Sequence, residues 1–208
     1  MLDLGLLPLF MAGAFALAIA PGPDMAFTLA TTASKGWRAG LMAVAGINLG
    51  ASSWTLATIL GLSAMLAATE HALTVVRWVG GAYLVWLAIQ TIRKLDALPE
   101  GRAAKGMWPA FRRGFLTNLL NPKVGLFYMA FLPQFTNAEI GPVWIQMLTF
   151  AAIFFVIGDL VLLTVVLAAG AARSRLERSA AWRRALNALA ATAFGGLGLR
   201  LLIARDAG

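Results

Sequence analysis

Stretches free of Asp, Glu, Lys and Arg set the pattern of this chain: 4–23, 39–69, 78–92, 114–122 with 124–138, 140–158 with 160–172, and 185–199. A helix needs about 20 residues to cross the hydrocarbon of a bilayer at ~1.5 Å per residue. The runs therefore predict six helices, near 4–33, 40–68, 72–92, 112–135, 143–171 and 185–204. The expected fold class is all-α: a polytopic membrane protein whose residues 1–208 form a single transmembrane domain, with halves of about 1–92 and 112–208 joined by a basic loop at 93–111.

Composition agrees with that reading. Hydrophobic residues make up 60% of the chain and charged ones 12%, too few charges to cover a soluble surface. No cysteine is present and the single histidine is His71, which excludes disulfides, thiol redox chemistry and a transition-metal cluster. The formal net charge of +8 sits beside apolar spans, where orientation and anionic lipid account for it, so nucleic acid is not an expected partner. The first apolar run fails as a signal peptide. No Lys or Arg precedes it, Pro21 would follow the cut after Ala18-Ile19-Ala20, and apolar character resumes at Met25, so an uncleaved first helix is expected.

Basic residues orient the spans. Lys35 and Arg38 follow helix 1; Arg93, Lys94, Arg102, Lys105, Arg112 and Arg113 follow helix 3; Arg173, Arg175, Arg178, Arg183 and Arg184 follow helix 5. Arg77 and Arg205 are nearly all the other side holds, so loops 1–2, 3–4 and 5–6 are expected in the cytoplasm and both termini outside. Three spans on each side of the central loop make two inverted three-helix repeats, and the halves rhyme. Helix 1 carries Pro21-Gly22-Pro23-Asp24 and helix 4 carries Asn121-Pro122-Lys123, each about 10 residues from the expected cytoplasmic end and so near mid-membrane. Broken helices at corresponding places in inverted halves point to the binding site of a secondary transporter.

Chemistry gathers at those breaks. Pro21 and Pro23 each remove a backbone donor, and carbonyls in the preceding turn lose their helical partners. Such a gap is tolerated in lipid only against protein, water or substrate. A packing kink is the plainer alternative. Asn121 followed by Pro122 reads as an N-cap and first helical residue, and the start of a half-helix favours a carboxylate. Asp24, Lys123 and Asp159 are the ionisable residues furthest from the span ends, and an intramembrane charge costs at least ~2.5–3.5 kcal/mol on insertion scales. Asp24 and Lys123 each follow a break and are expected to face each other, as a substrate gate or as a structural ion pair. Asp159 is the expected proton carrier, a carboxylate whose protonation changes with the side it faces. Gly46 and Gly50 in helix 2, Gly80-Gly81 in helix 3 and Gly195-Gly196 with Gly198 in helix 6 allow close backbone approach. Asn48, between the first two, is free to bond a neighbouring helix or a substrate. Arg77 and Arg200 read as snorkelling anchors, His71 beside Glu70 as a solvated loop residue, and Trp37, Trp78, Trp108 and Trp144 as an aromatic belt.

Several segments together resemble the lysine exporter and homoserine/threonine-resistance exporter superfamily of bacterial inner-membrane proteins. They are Pro21-Gly22-Pro23-Asp24, Ser34-Lys35-Gly36-Trp37-Arg38-Ala39-Gly40, Gly46 with Gly50, and Gly81-Ala82-Tyr83-Leu84. Most specific is Arg113-Gly114-Phe115 through Asn118-Leu119-Leu120-Asn121-Pro122-Lys123 to Phe131-Leu132-Pro133-Gln134-Phe135. The resemblance implies export of small amino acids or their derivatives, driven by the proton gradient. Members often carry aspartate just after the second glycine of helix 2, where this chain has Ala51, so that role would pass to Asp24 or Asp159.

The expected partners are a small amino-acid substrate, protons and the lipid bilayer, with a homodimer as one assembly and no cofactor. The substrate-binding set is Pro21, Gly22, Pro23, Asp24, Asn48, Asn121, Pro122 and Lys123; Asp159 and Asp24 are the proton-coupling pair. A passive channel is the rival function. An enzyme is not expected: Gly101 and Gly106 have P-loop spacing, but Met107 stands where lysine must follow.

Overall fold

A computed structural model describes residues 3–68, 72–93, 106–169 and 179–203. Among these residues there are eight α-helices, two 3₁₀ turns and no strand. Glu70, His71, Arg205 and residues 94–105 and 170–178 lie outside them, as do the side chains of Arg77 and Arg200.

Prolines and glycines set the helix boundaries. α1 (Leu7–Ile19) ends where Pro21 offers no amide, its last bond running from the Ala20 amide to the Ala16 carbonyl at 3.1 Å. The chain passes through an extended Gly22 into α2 (Pro23–Lys35), bent from α1 by 50°. Gly36, at φ 83°, closes α2 with a 2.8 Å bond from its amide to Thr32 O, and α3 (Trp37–Ala68) starts at the next residue. α4 is Ala72–Arg93. The second half begins with α5 (Met107–Leu119) and α6 (Pro122–Phe131), which runs into a 3₁₀ turn at Leu132–Phe135 around Pro133. A second turn, Ala138–Ile140, leads to α7 (Val143–Leu167), and α8 is Ala180–Ile203. The sequence-expected helix 4 thus starts five residues early, at Met107, and helix 6 at Ala180 rather than 185.

Trp37–Gly61 and Val143–Leu167 are each long and apolar enough to cross a membrane, and α1 with α2 forms a bent third span. α4 and α8, at 22 and 24 residues, have the length. Apolar side chains stand far out of the fold: Val156, Leu160 and Leu167 of α7 are 61%, 62% and 86% exposed. Lipid is the solvent that suits them. Trp37, Trp78, Trp108 and Trp144 are likewise exposed, the first, third and fourth at helix starts. The chain is an all-α membrane protein.

Packing interlocks the two halves, α3 lying along α5, α4 along α8, and α1 against α7. At the first crossing a Cβ on Gly46 would overlap the Phe111 carbonyl oxygen, and one on Gly114 would overlap that of Ala43. Only hydrogen at both positions allows backbones this close. α1, α6, the 3₁₀ turn and α7 meet around Phe10, Phe127, Phe131, Phe135 and Phe150, all at most 3% exposed. Their ring centroids lie 4.2–5.8 Å apart in stacked, tilted and edge contacts. Gln146, 1% exposed, ties down the approach to α7: its Nε2 donates to Asn137 O (2.8 Å) and Gly141 O (2.9 Å), and its Oε1 accepts from the Asn137 amide (3.0 Å).

Candidate functional site

The two helix breaks meet. In an unbroken helix the Leu17 carbonyl would accept from the amide of residue 21, but that residue is proline. The turn through Gly22 carries Ala20 O out of the helix as well. Both oxygens are taken by one cation: Lys123 Nζ donates to Leu17 O at 3.2 Å and to Ala20 O at 3.1 Å. The second break aims that lysine. Asn121 caps α6 by accepting the Lys123 amide on Oδ1 at 3.1 Å, Pro122 is the first helical residue, and Lys123 follows in the first turn.

The first break delivers the opposite charge. Asp24, in the first turn of α2, accepts a 2.8 Å hydrogen bond on Oδ2 from Asn118 Nδ2 of α5. Each break therefore sends its ionic side chain to the other half. Asp24 Oδ1 and Asn118 Oδ1 are buried and, among the described residues, have no hydrogen-bond partner. Two acceptors of this kind are costly in a dry interior and suit a ligand that donates.

Between the breaks lies a cavity of about 80 Å³, several times the ~10–15 Å³ that a single water needs on the same measure. Its polar side is Asp24, Asn48, Asn118, Asn121 and Lys123 with the backbone at Gly22. Its apolar side is Leu17, Ile47, Val124, Phe154, Phe155 and Leu162. One carboxylate, one ammonium and three amides face an apolar wall.

Asp159 stands just beside this cavity. Its Oδ1 accepts from Asn48 Nδ2 at 2.8 Å, and its neighbour Gly158 is a lining residue while Asp159 is not. Asn48 thus both lines the cavity and holds Asp159 across the α3–α7 contact. Of the residues singled out from the sequence, Gly22, Asp24, Asn48, Asn121 and Lys123 converge on one cavity. Pro21, Pro23 and Pro122 shape the breaks without lining it. Asp24 and Lys123 line it together, with Asn118 as the hydrogen-bond partner of Asp24 and the α1 carbonyls as acceptors for Lys123. Sequence reasoning missed Asn118 as a site residue and the Phe154-Phe155 wall. An amide three residues before Asn121, in an apolar run, was the available signal for the first.

The LysE type translocator family model matches residues 15–205. The chain belongs to the LysE type translocator family. The threonine efflux protein of Escherichia coli (strain K12) is 30% identical over 90% of this chain and 92% of its own length. An uncharacterized membrane protein of Pseudomonas aeruginosa, PA4757, is 30% identical over 91% and 88%. The leucine efflux protein of Enterobacter sp. (strain 638) is 29% identical over 62% of this chain and 63% of its own length. No solved structure matches the chain. As a LysE type translocator, the protein is a membrane transporter.

Proposed function

We propose that this translocator exports small zwitterionic amino acids with an uncharged side chain from the bacterial cytoplasm, by proton antiport across the inner membrane. The carrying observation is the cavity itself: an apolar wall opposite a single carboxylate and a single ammonium. A neutral zwitterion offers an ammonium for Asp24, a carboxylate for Lys123 and an aliphatic side chain for Leu17, Ile47 and Phe155. A lysine-like substrate would bring a second positive charge with no second acid among the lining residues to meet it. The names of the leucine and threonine efflux relatives support this substrate class.

In this reading residues 1–208 form one transmembrane unit of six spans in two inverted halves, with loops 1–2, 3–4 and 5–6 cytoplasmic. Corresponding breaks at 20–22 and 120–121 and the paired packing of α3 on α5 and α1 on α7 support it. The basic loops set its direction. The cluster of Phe10, Phe131, Phe135 and Phe150 then seals the cavity on its outer side and has to part for release.

Asp159 carries the proton. When ionised it only accepts, as from Asn48 Nδ2; once protonated it also donates, and Asn48 can answer by turning its oxygen toward it. Because Asn48 also lines the cavity, the proton state of Asp159 reaches the substrate through this amide. Counterflow in proteoliposomes with labelled amino acids, with and without an imposed pH gradient, tests the proposal. Uphill accumulation of leucine or threonine driven by the gradient is expected. Downhill flux that no pH gradient accelerates would instead mark a passive channel.

A further inference from the structure

We infer that Leu17 O, Ala20 O and the Asp24 carboxylate form a built ammonium site, and that Lys123 is its resident occupant, a tethered counter-ion that gives way to the substrate's α-ammonium. The inference rests on the amino-acid reading above and adds to it where the amine binds and what fills the site when no substrate is present.

The geometry points to an ammonium. A lysine Nζ and an amino acid's α-nitrogen are both NH₃⁺ groups with three donors and no acceptor. The 3.2 and 3.1 Å distances from Nζ to the two carbonyl oxygens are hydrogen-bond lengths. A bare hard cation such as Ca²⁺ would require oxygens at ~2.3–2.6 Å. The carbonyls are available because Pro21 removes the amide that would otherwise claim Leu17 O and the turn at Gly22 exposes Ala20 O. Asp24 lines the same cavity, with Oδ2 engaged by Asn118 and Oδ1 buried without a hydrogen-bond partner among the described residues.

Charge bookkeeping shows what the tether does. With the cavity empty, Lys123 and Asp24 sum to zero. A bound zwitterion also adds zero: its ammonium takes the two carbonyls and Asp24, while Lys123 turns to its carboxylate. No lone charge is buried at either stage, so the carrier is able to reorient empty as well as loaded. Without the lysine, the empty carrier has to bury Asp24 and two bare carbonyls with no cation among them; the loaded carrier receives a cation there from its substrate, but the substrate's carboxylate then lacks Lys123, so both stages carry one unpaired negative charge. Loss of the lysine therefore slows exchange as well as net export, and a free ammonium ion that fills the site relieves the empty carrier.

The experiment uses the full chain with Lys123→Ala, and with Lys123→Met as a second variant that keeps the apolar stem. Purified protein is melted with n-propylammonium, the piece of the side chain that the alanine variant lacks, or with ammonium, the nitrogen that the methionine variant lacks, and with tetramethylammonium as a cation that has no N–H. Saturable stabilisation of either variant by its matched ion is expected, with none by tetramethylammonium and none of the wild type by any of the three. In proteoliposomes, net efflux should fall at least about a hundredfold below wild type, the scale of leaving one buried charge unpartnered, and the matched ion should raise it again. A variant recovered folded only in the presence of its matched ion supports the inference. If neither matched ion stabilises its variant, or if both variants keep wild-type net efflux, the inference is overturned. The underlying function fails separately: a wild type that exchanges no amino acid, beside an alanine variant stabilised by propylammonium, removes the amino-acid reading and leaves the ammonium site standing.

Discussion

Asn118→Ala isolates the link between the two halves that the sequence did not announce. Asn118 is 3% exposed and donates its 2.8 Å bond to Asp24 Oδ2 across 94 positions of chain. A hydrogen bond to a charged group contributes about 1.5–3 kcal/mol. The lower end applies here, because removing the side chain also removes its own Oδ1, a buried acceptor without a hydrogen-bond partner among the described residues. A loss of about 1.5 kcal/mol at ~2–4 °C per kcal/mol for a protein of this size predicts a Tm about 3–6 °C below wild type. The same energy, at 1.36 kcal/mol per decade, is about a tenfold rise in the substrate concentration that half-saturates counterflow, if Asp24 must be held in place to receive the amine. Melting of purified protein and counterflow on the same preparation read both numbers. A double-mutant cycle with Asp24→Asn assigns the effect to the bond. The two changes should couple by at least ~1 kcal/mol, whereas additivity within ~0.5 kcal/mol would show that Asn118 does not act through Asp24.

Pro23→Ala and Pro122→Ala should impair counterflow more than they impair recovery of folded protein, since a continuous helix closes the gap at which the cavity forms; wild-type efflux from both would reduce the breaks to kinks. Gly46→Ala should lower Tm by about 2–12 °C, because its Cβ meets the Phe111 carbonyl and overpacking costs ~1–3 kcal/mol. Gly61→Ala, where a Cβ meets nothing within 4 Å, is the control and should hold or raise Tm. With no native cysteine to interfere, Ala104→Cys should be shielded from an impermeant external reagent and Glu139→Cys labelled by it; the reverse pattern overturns the topology. Asp159→Asn should abolish pH-gradient-driven accumulation while sparing exchange, and Asp24→Asn should reduce both, so an Asp159→Asn protein that still couples normally refutes the proton assignment.

The breaks were legible in the sequence because proline acts locally. Pro21, Pro23 and Pro122 lack an amide whatever surrounds them, and Asn121 before Pro122 caps a helix by chemistry confined to four residues. The glycines of the α3–α5 crossing were legible as close-approach positions but not as to which helix approaches. What could not be read was long-range pairing. Nothing local distinguishes an amide destined for Asp24 from one that bonds its own helix, and nothing near Lys123 names carbonyls more than 100 residues earlier as its acceptors. The apolar wall was illegible for a different reason. In a soluble protein, the polar side of a helix reveals the buried side; in lipid, the surroundings are as apolar as the core, and that contrast vanishes. α7 shows the result: Phe150 is fully buried and Val156 is 61% exposed, yet no polar residue between them marks the change of face. The polar positions are therefore the ones from which a site in such a chain can be inferred. Here five of them, Asp24, Asn48, Asn118, Asn121 and Lys123, lie on four different helices and at one helix cap, and all line the same cavity. In an apolar medium each carries its own cost of burial, and convergence is how that cost is met: Asn118 serves Asp24, Asn121 caps the helix that aims Lys123, and Lys123 closes the gap Pro21 leaves in α1.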